Sequence, residues 1–163
     1  MIINILDKTK KKEILDRLSY LGKLKTNALF IKTGDRVRAF TGNLSIEEIL
    51  KIWKSFMIEG IGLYIAKDFL DKKSGISETR LSIDGVHFFK DQINSNIIEL
   101  NDEQKEKWFR GNAVELTKEQ KEKYKELKGF VVLKHGEDFI GTAKLTEKFV
   151  LYNYLPKERR IRG

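Results

Sequence analysis

The close of the chain constrains its fold most. Three segments of strand character, Gly129 to Lys134, Asp138 to Leu145 and Phe149 to Tyr154, follow one another with only short turns between them. His135-Gly136-Glu137-Asp138 supplies the first turn. Upstream, Asn96 to Leu100 reads as a strand, Asn101 can cap a short helix through Phe109, Gly111 sits where a helix needs a left-handed terminator, and Ala113 to Leu116 resumes strand. The run Thr117 to Lys128 has five Lys and three Glu, with Tyr124 and Leu127 its apolar residues, so it reads as a solvated helix or loop outside the core. Within Phe149 to Tyr154 a period of two puts Tyr152 and Tyr154 on one face and Phe149 and Leu151 on the other, and only one face can enter a core. If Phe149 and Leu151 are buried, the tyrosines are free to meet a ligand.

The first half mixes periods. Asp7 to Leu21 places Ile14, Leu15, Leu18 and Leu21 at helical spacing, stopped near Gly22. Asn27 to Lys32 and Arg36 to Thr41, joined by Thr33-Gly34-Asp35, form a hairpin. Asn43 or Ser45 caps a second helix, with Ser45 and Glu48 in capping-box spacing and Ile46, Ile49, Leu50, Trp53 and Phe56-Met57 on its apolar side. Ile58 to Ala66 then reads as a strand carrying two glycines, and Glu78 to Phe89 as its partner, bent at Asp84-Gly85. A boundary falls in the polar stretch Asp91 to Ser95, dividing the chain into 1–93 and 94–163. The predicted class is α+β: an N-terminal antiparallel sheet with helices, then a second β-rich domain with short helices.

A chain of 163 residues fits one ordinary domain or two small ones, and its 40% hydrophobic content is enough to bury a core in either arrangement. Nothing approaches the roughly 18 consecutive apolar residues of a bilayer span. Met1 to Asp7 lacks the features of a signal peptide, so a cytoplasmic protein is expected. The absence of cysteine excludes disulfides, thiolate metal sites and cysteine nucleophiles. Lys plus Arg number 32 against 24 Asp plus Glu, a formal +8 that favours polyanionic partners. There are 17 cations and 12 anions through Ile93 and 15 against 12 after it. Lys157, Arg159, Arg160 and Arg162, less Glu158, equal the second domain's whole excess.

The order strand, short helix, Arg110-Gly111-Asn112, strand, charged insertion and three strands resembles the PUA domain, the pseudouridine synthase and archaeosine transglycosylase module. Trp108 to Leu116 (WFRGNAVEL) looks like its helix-to-strand corner. Phe139 to Arg162 (FIGTAKLTEKFVLYNYLPKERRIR) is similar to the close of the PUA-like domain of Nol/Nop/Sun RNA 5-methylcytosine methyltransferases. The first half has its own likeness: IEGIGLYIAKDF followed by ETRLSIDGVHFF is similar to the strand pair that precedes PUA in the Nip-seven ribosome-biogenesis family. These resemblances imply a pre-PUA domain at 1–93 and, at 94–163, a PUA-type mixed β pseudo-barrel that docks RNA.

Cations gain affinity for a phosphate backbone by releasing counterions, and aromatic faces stack on exposed bases. Resemblance and residue chemistry together predict RNA contacts at Arg110, Gly111, Asn112, Lys144, Lys148, Tyr152, Lys157, Arg159, Arg160 and Arg162, with the glycine letting phosphate approach the backbone beside Arg110. The predicted partner is rRNA or tRNA, with an RNA-modifying enzyme or pre-ribosomal protein as a further partner. No catalytic residue, metal ligand or cofactor is expected. Methyl transfer of the Nol/Nop/Sun kind needs a catalytic cysteine, which this chain lacks. Gly60-Ile61-Gly62 has no third glycine, and His87 and His135 stand far apart without ligand spacing, His87 in a strand and His135 in a turn. The alternative reading is a scaffold whose Ile46–Met57 helix and neighbouring β-surface near Gly60 recruit an RNA-modifying enzyme.

Overall fold

The computed structural model describes residues 2–162. The chain forms two compact units: one holds the residues up to Ser19 together with Lys23–Phe88, the other Tyr20–Gly22 together with the residues from Phe89 on. Phe89 and Ile93, placed by the sequence in the first domain, lie in the second unit as buried side chains.

In the first unit, strands β1 (Ile3–Ile5), β2 (Leu29–Thr33), β3 (Arg36–Phe40), β4 (Leu63–Leu70) and β5 (Ser77–Leu81) form one antiparallel meander in chain order. Helix α1 (Lys8–Arg17) begins at Asp7, whose carboxylate accepts from the Lys10 amide at 2.9 Å. Ile14, Leu18, Phe30, Val37, Ile65 and Leu81 fill the core. Helix α2 (Ile46–Ser55) carries the predicted capping box: Ser45 and Glu48 each accept from the other's backbone amide, at 3.2 and 2.7 Å. Ile49 is its buried residue, while Ile46, Phe56 and Met57 stay exposed.

Three expectations for this unit change. The stretch 58–62 lies outside β4, which begins at Leu63, just after Gly62 turns the chain at φ +91°, away from the extended region. Residues 83–89 do not extend β5. Ile83–Phe88 form helix α3, started by Ser82, whose hydroxyl accepts from the Gly85 amide at 3.0 Å and donates to the Tyr64 carbonyl at 2.6 Å. Gly85 is the contact point of that helix with β4, where a Cβ would stand 1.8 Å from the Ile65 carbonyl oxygen. His87 is therefore helical and exposed. Strand β1, three residues long and paired Ile5 to Ile31, was too short to show a period.

The second unit is a curled mixed sheet in the order β6 (Ile97–Glu99), β8 (Gly129–His135), β9 (Asp138–Leu145), β10 (Val150–Asn153), β7 (Val114–Glu115). The β6–β8 pair is parallel and the rest antiparallel. Helix α4 (Asp102–Phe109) has a capping box between Asn101 and Gln104, and α5 (Lys118–Lys123) has one between Thr117 and Gln120. The side-chain amides of Gln104 and Gln120 exchange hydrogen bonds at 2.7 and 2.8 Å, and Gln120 also donates to the Glu99 carbonyl at 2.9 Å. The Lys/Glu-rich insertion is thus tied to β6 and α4 while its charges face water. Tyr124 departs from that exposure: it is buried, and its hydroxyl accepts from the Glu99 amide at 3.1 Å. Trp108 is fully buried and donates from Nε1 to the Ile140 carbonyl at 3.0 Å, so α4 is locked onto β9 by both area and a satisfied polar atom.

Candidate nucleic-acid interface

Helix α4 ends in a Schellman motif. Gly111 sits at φ +84°, its amide donates to the Trp108 carbonyl at 2.9 Å, and the Asn112 amide donates to the Lys107 carbonyl at 3.1 Å. Arg110, the C-cap of α4, is exposed. Its position at the helix C-terminus suits a cation, since the aligned carbonyls there carry partial negative charge.

Asn153, at the end of β10, holds this corner. Its Nδ2 donates to the Trp108 carbonyl at 2.7 Å and to the Asn112 carbonyl at 3.0 Å, and its Oδ1 accepts from the Leu155 amide at 2.8 Å. One side chain therefore joins the helix end, the corner and the start of the tail. The tail then returns to α4: the Ile161 amide donates to the Phe109 carbonyl at 2.8 Å, and Lys157–Arg159 form a 3-10 turn.

Arg160 does not stand out as a free cation. Its Nε donates to the Leu155 carbonyl at 3.0 Å, and its side chain lies on Gly111, where a Cβ would fall 2.5 Å from its Cδ and 2.6 Å from its Nε. The close approach that Gly111 allows is thus taken by Arg160, not left open to a phosphate. Arg110, Gly111, Asn112 and Arg160 are brought together here, with Lys157, Arg159 and Arg162 exposed along the tail.

Lys144 and Tyr152 form a second group. They are direct cross-strand partners in the β9–β10 pair, and Tyr152 is 56% exposed while Leu151 is fully buried against the opposite face. On this strand Leu151 is thus the buried side chain and Tyr152 the exposed one. Lys144 lies 5.2 Å from the Phe130 ring centroid, giving a row of Phe130, Lys144 and Tyr152 across three strands. Tyr154 is not part of that row. It lies beyond the strand, half-buried, with its ring 6.1 Å from that of Phe130. Phe149 also leaves the strand, in the left-handed region at φ +57°, closing the β9–β10 turn that carries the exposed Lys148.

His135 belongs to β8 and not to the turn that follows it, and its Nε2 lies 2.8 Å from Asp102 Oδ1. That contact and the nearby Lys105 charge hold the Asp102 carboxyl below its usual range. Among the described residues no group of three or more His, Asp or Glu side chains could hold a metal ion, and no helix is long and apolar enough to cross a membrane.

The curled sheet, the capped α4, the glycine corner and the returning basic tail define a PUA-like domain, a kind of domain that generally binds RNA. Residues 95–161 match the family described as the methyltransferase RsmF PUA domain. No curated protein matches the chain.

Proposed function

We propose that the chain is a non-catalytic RNA-docking protein that serves rRNA or tRNA processing or modification. The PUA-like unit engages structured RNA through the Arg110 corner, the exposed tail cations and the Lys144–Tyr152 pair. The observation that carries this reading is the pinning of the tail: Asn153, Arg160 and Ile161 fix it against the end of α4. A cation on an anchored segment loses less freedom on binding than one on a loose end, so each contact yields more affinity. An accessory role in ribosome or RNA maturation is part of the same proposal, and its ground is the sequence resemblance of the two stretches within residues 58–89 to the strand pair of the Nip-seven family.

The test is binding of a tRNA transcript across a salt series from about 50 to 200 mM. Arg110→Ala with Lys157→Ala is the informative pair, because Arg160 also holds the corner and its loss would confound folding with binding. Each removed phosphate contact should weaken binding and lower the slope of log affinity against log salt by about 1. Tyr152→Ala should cost about 1–3 kcal/mol if the ring stacks on a base. Salt-insensitive binding that both substitutions leave unchanged would refute the assignment.

A further inference from the structure

The first unit carries an open groove of about 1110 Å³, larger than the roughly 300–1,000 Å³ of most small-ligand sites. Its sheet side presents Arg36, Lys67 and Arg80, which are consecutive cross-strand partners on β3, β4 and β5 and so form a row of cations across the sheet. Its helix side presents Trp53, Phe56 and Met57 from the end of α2, with Phe56 65% exposed. Tyr64 lies between these sides in composition: its ring faces the guanidinium groups of Arg36 at 5.7 Å and Arg38 at 5.9 Å.

We propose that this groove binds a short stretch of single-stranded RNA, as a second site separate from the PUA-like domain. Single strands are held by cations that follow the backbone and by aromatic faces on which unpaired bases stack, and both chemistries line this one groove. A duplex offers no base faces to the exposed Phe56 ring. The balance of charge favours a polyanion. Three cations, Arg36, Lys67 and Arg80, line the groove against two carboxylates, Asp35 and Glu59, and Asp35 is paired with Lys67 at 3.7 Å. The first half of the chain, moreover, carries the larger share of the positive charge, 17 cations against 12 anions through Ile93. This site does not depend on RNA docking by the second unit, and each can fail alone.

The experiment uses the full chain and a fluorescein-labelled oligouridylate of about ten nucleotides, read by anisotropy, with ultraviolet cross-linking to map the contact. Arg36→Glu should weaken binding about tenfold and Phe56→Ala about fivefold. Lys72→Glu, the same charge reversal on the exposed β4–β5 turn, should leave it within about twofold. Cross-links should fall on Trp53, Phe56 or Tyr64. The proposal is overturned if the wild-type chain does not bind the oligonucleotide, if Arg36→Glu and Phe56→Ala bind like wild type, if Lys72→Glu weakens binding as much as Arg36→Glu, or if cross-links fall only after Phe89. Groove substitutions that abolish capture of a protein partner while oligonucleotide affinity is unchanged would likewise overturn it and make the groove a protein site.

Discussion

Gly111 shows how one residue serves conformation and packing at once. Its left-handed φ ends α4, and its missing side chain admits Arg160. Gly111→Ala should therefore destabilise the protein twice over, by about 1 kcal/mol for the backbone and by more for the collision. Arg160→Ala removes the collision and leaves the backbone cost, so the double variant should be more stable than the sum of the singles predicts. Urea midpoints of the four proteins measure that coupling; additive losses would show that Arg160 yields freely. The left-handed glycine was legible in the sequence, because a glycine following a capped helical stretch has a local reason to be there. Arg160's place on it was not. That contact depends on the tail's return through Asn153 and Ile161, partners some forty to fifty residues from the α4 end in sequence. Reading the arginines as a uniform basic run missed that one of them is part of the structure.

At the scale of elements, Asp68 is the polar joint of the first unit. It stands on β4 and accepts from Arg17 of α1 at 3.0 Å, from Thr79 of β5 at 2.6 Å and from Lys32 of β2. Burial works to raise its pKa, but the hydrogen bonds from Lys32 and Thr79 and the charges of Lys32 and Arg17 outweigh it, and the net shift is downward. A carboxyl lowered in the folded state contributes stability that is present above the ordinary aspartate value of about 3.9 and is lost as pH falls through its folded pKa. Asp68→Asn should cost about 3 kcal/mol at pH 7, the low end for a buried pair because Arg17 and Lys32 keep some contact with water. The gap between variant and wild type should narrow in urea titrations as pH falls below 4; a constant gap would mean that the carboxylate's charge is not what matters. Most elements were readable from period and caps, as α2, α4 and the β8–β10 strands show. Helix α3 was not, since Leu81, Ile83 and Val86 carry a pattern that suits either state. What decides is Ser82 bonded to the Tyr64 carbonyl and Gly85 seated on Ile65, both tertiary facts. The groove was unreadable for a related reason: Arg36, Lys67 and Arg80 become neighbours only through strand register.

For the whole molecule, the chain order and the division into units do not coincide. Tyr20–Gly22 follow the first helix in sequence yet belong to the second unit. The Asn94 and Ser95 amides donate to the Leu21 carbonyl at 2.9 and 3.2 Å, the Ser95 hydroxyl donates to the Tyr20 carbonyl at 2.7 Å, and Leu21 is fully buried. A boundary drawn from composition alone, at Ile93, leaves these residues on the wrong side, because a three-residue excursion has no compositional signature. The mismatch has an energetic consequence. Truncating a buried leucine costs about 2–5 kcal/mol, and that cost is felt by the packing it completes. Leu21→Ala should thus lower hydrogen-exchange protection in β6, β8 and β9 of the PUA-like unit, even though the substitution lies just after α1. Protection in β2 and β3 should fall less if the two units open as separate cooperative blocks. Loss confined to β2 and β3 would assign Leu21 energetically to the first unit, and an equal loss in both sheets would show that the chain unfolds as one. The same measurement bears on RNA docking, because a PUA-like unit that needs Tyr20–Gly22 to complete its packing binds at full strength only when those upstream residues are present, so a fragment cut at residue 94 should bind tRNA more weakly than the intact chain for reasons of stability, before any contact is lost.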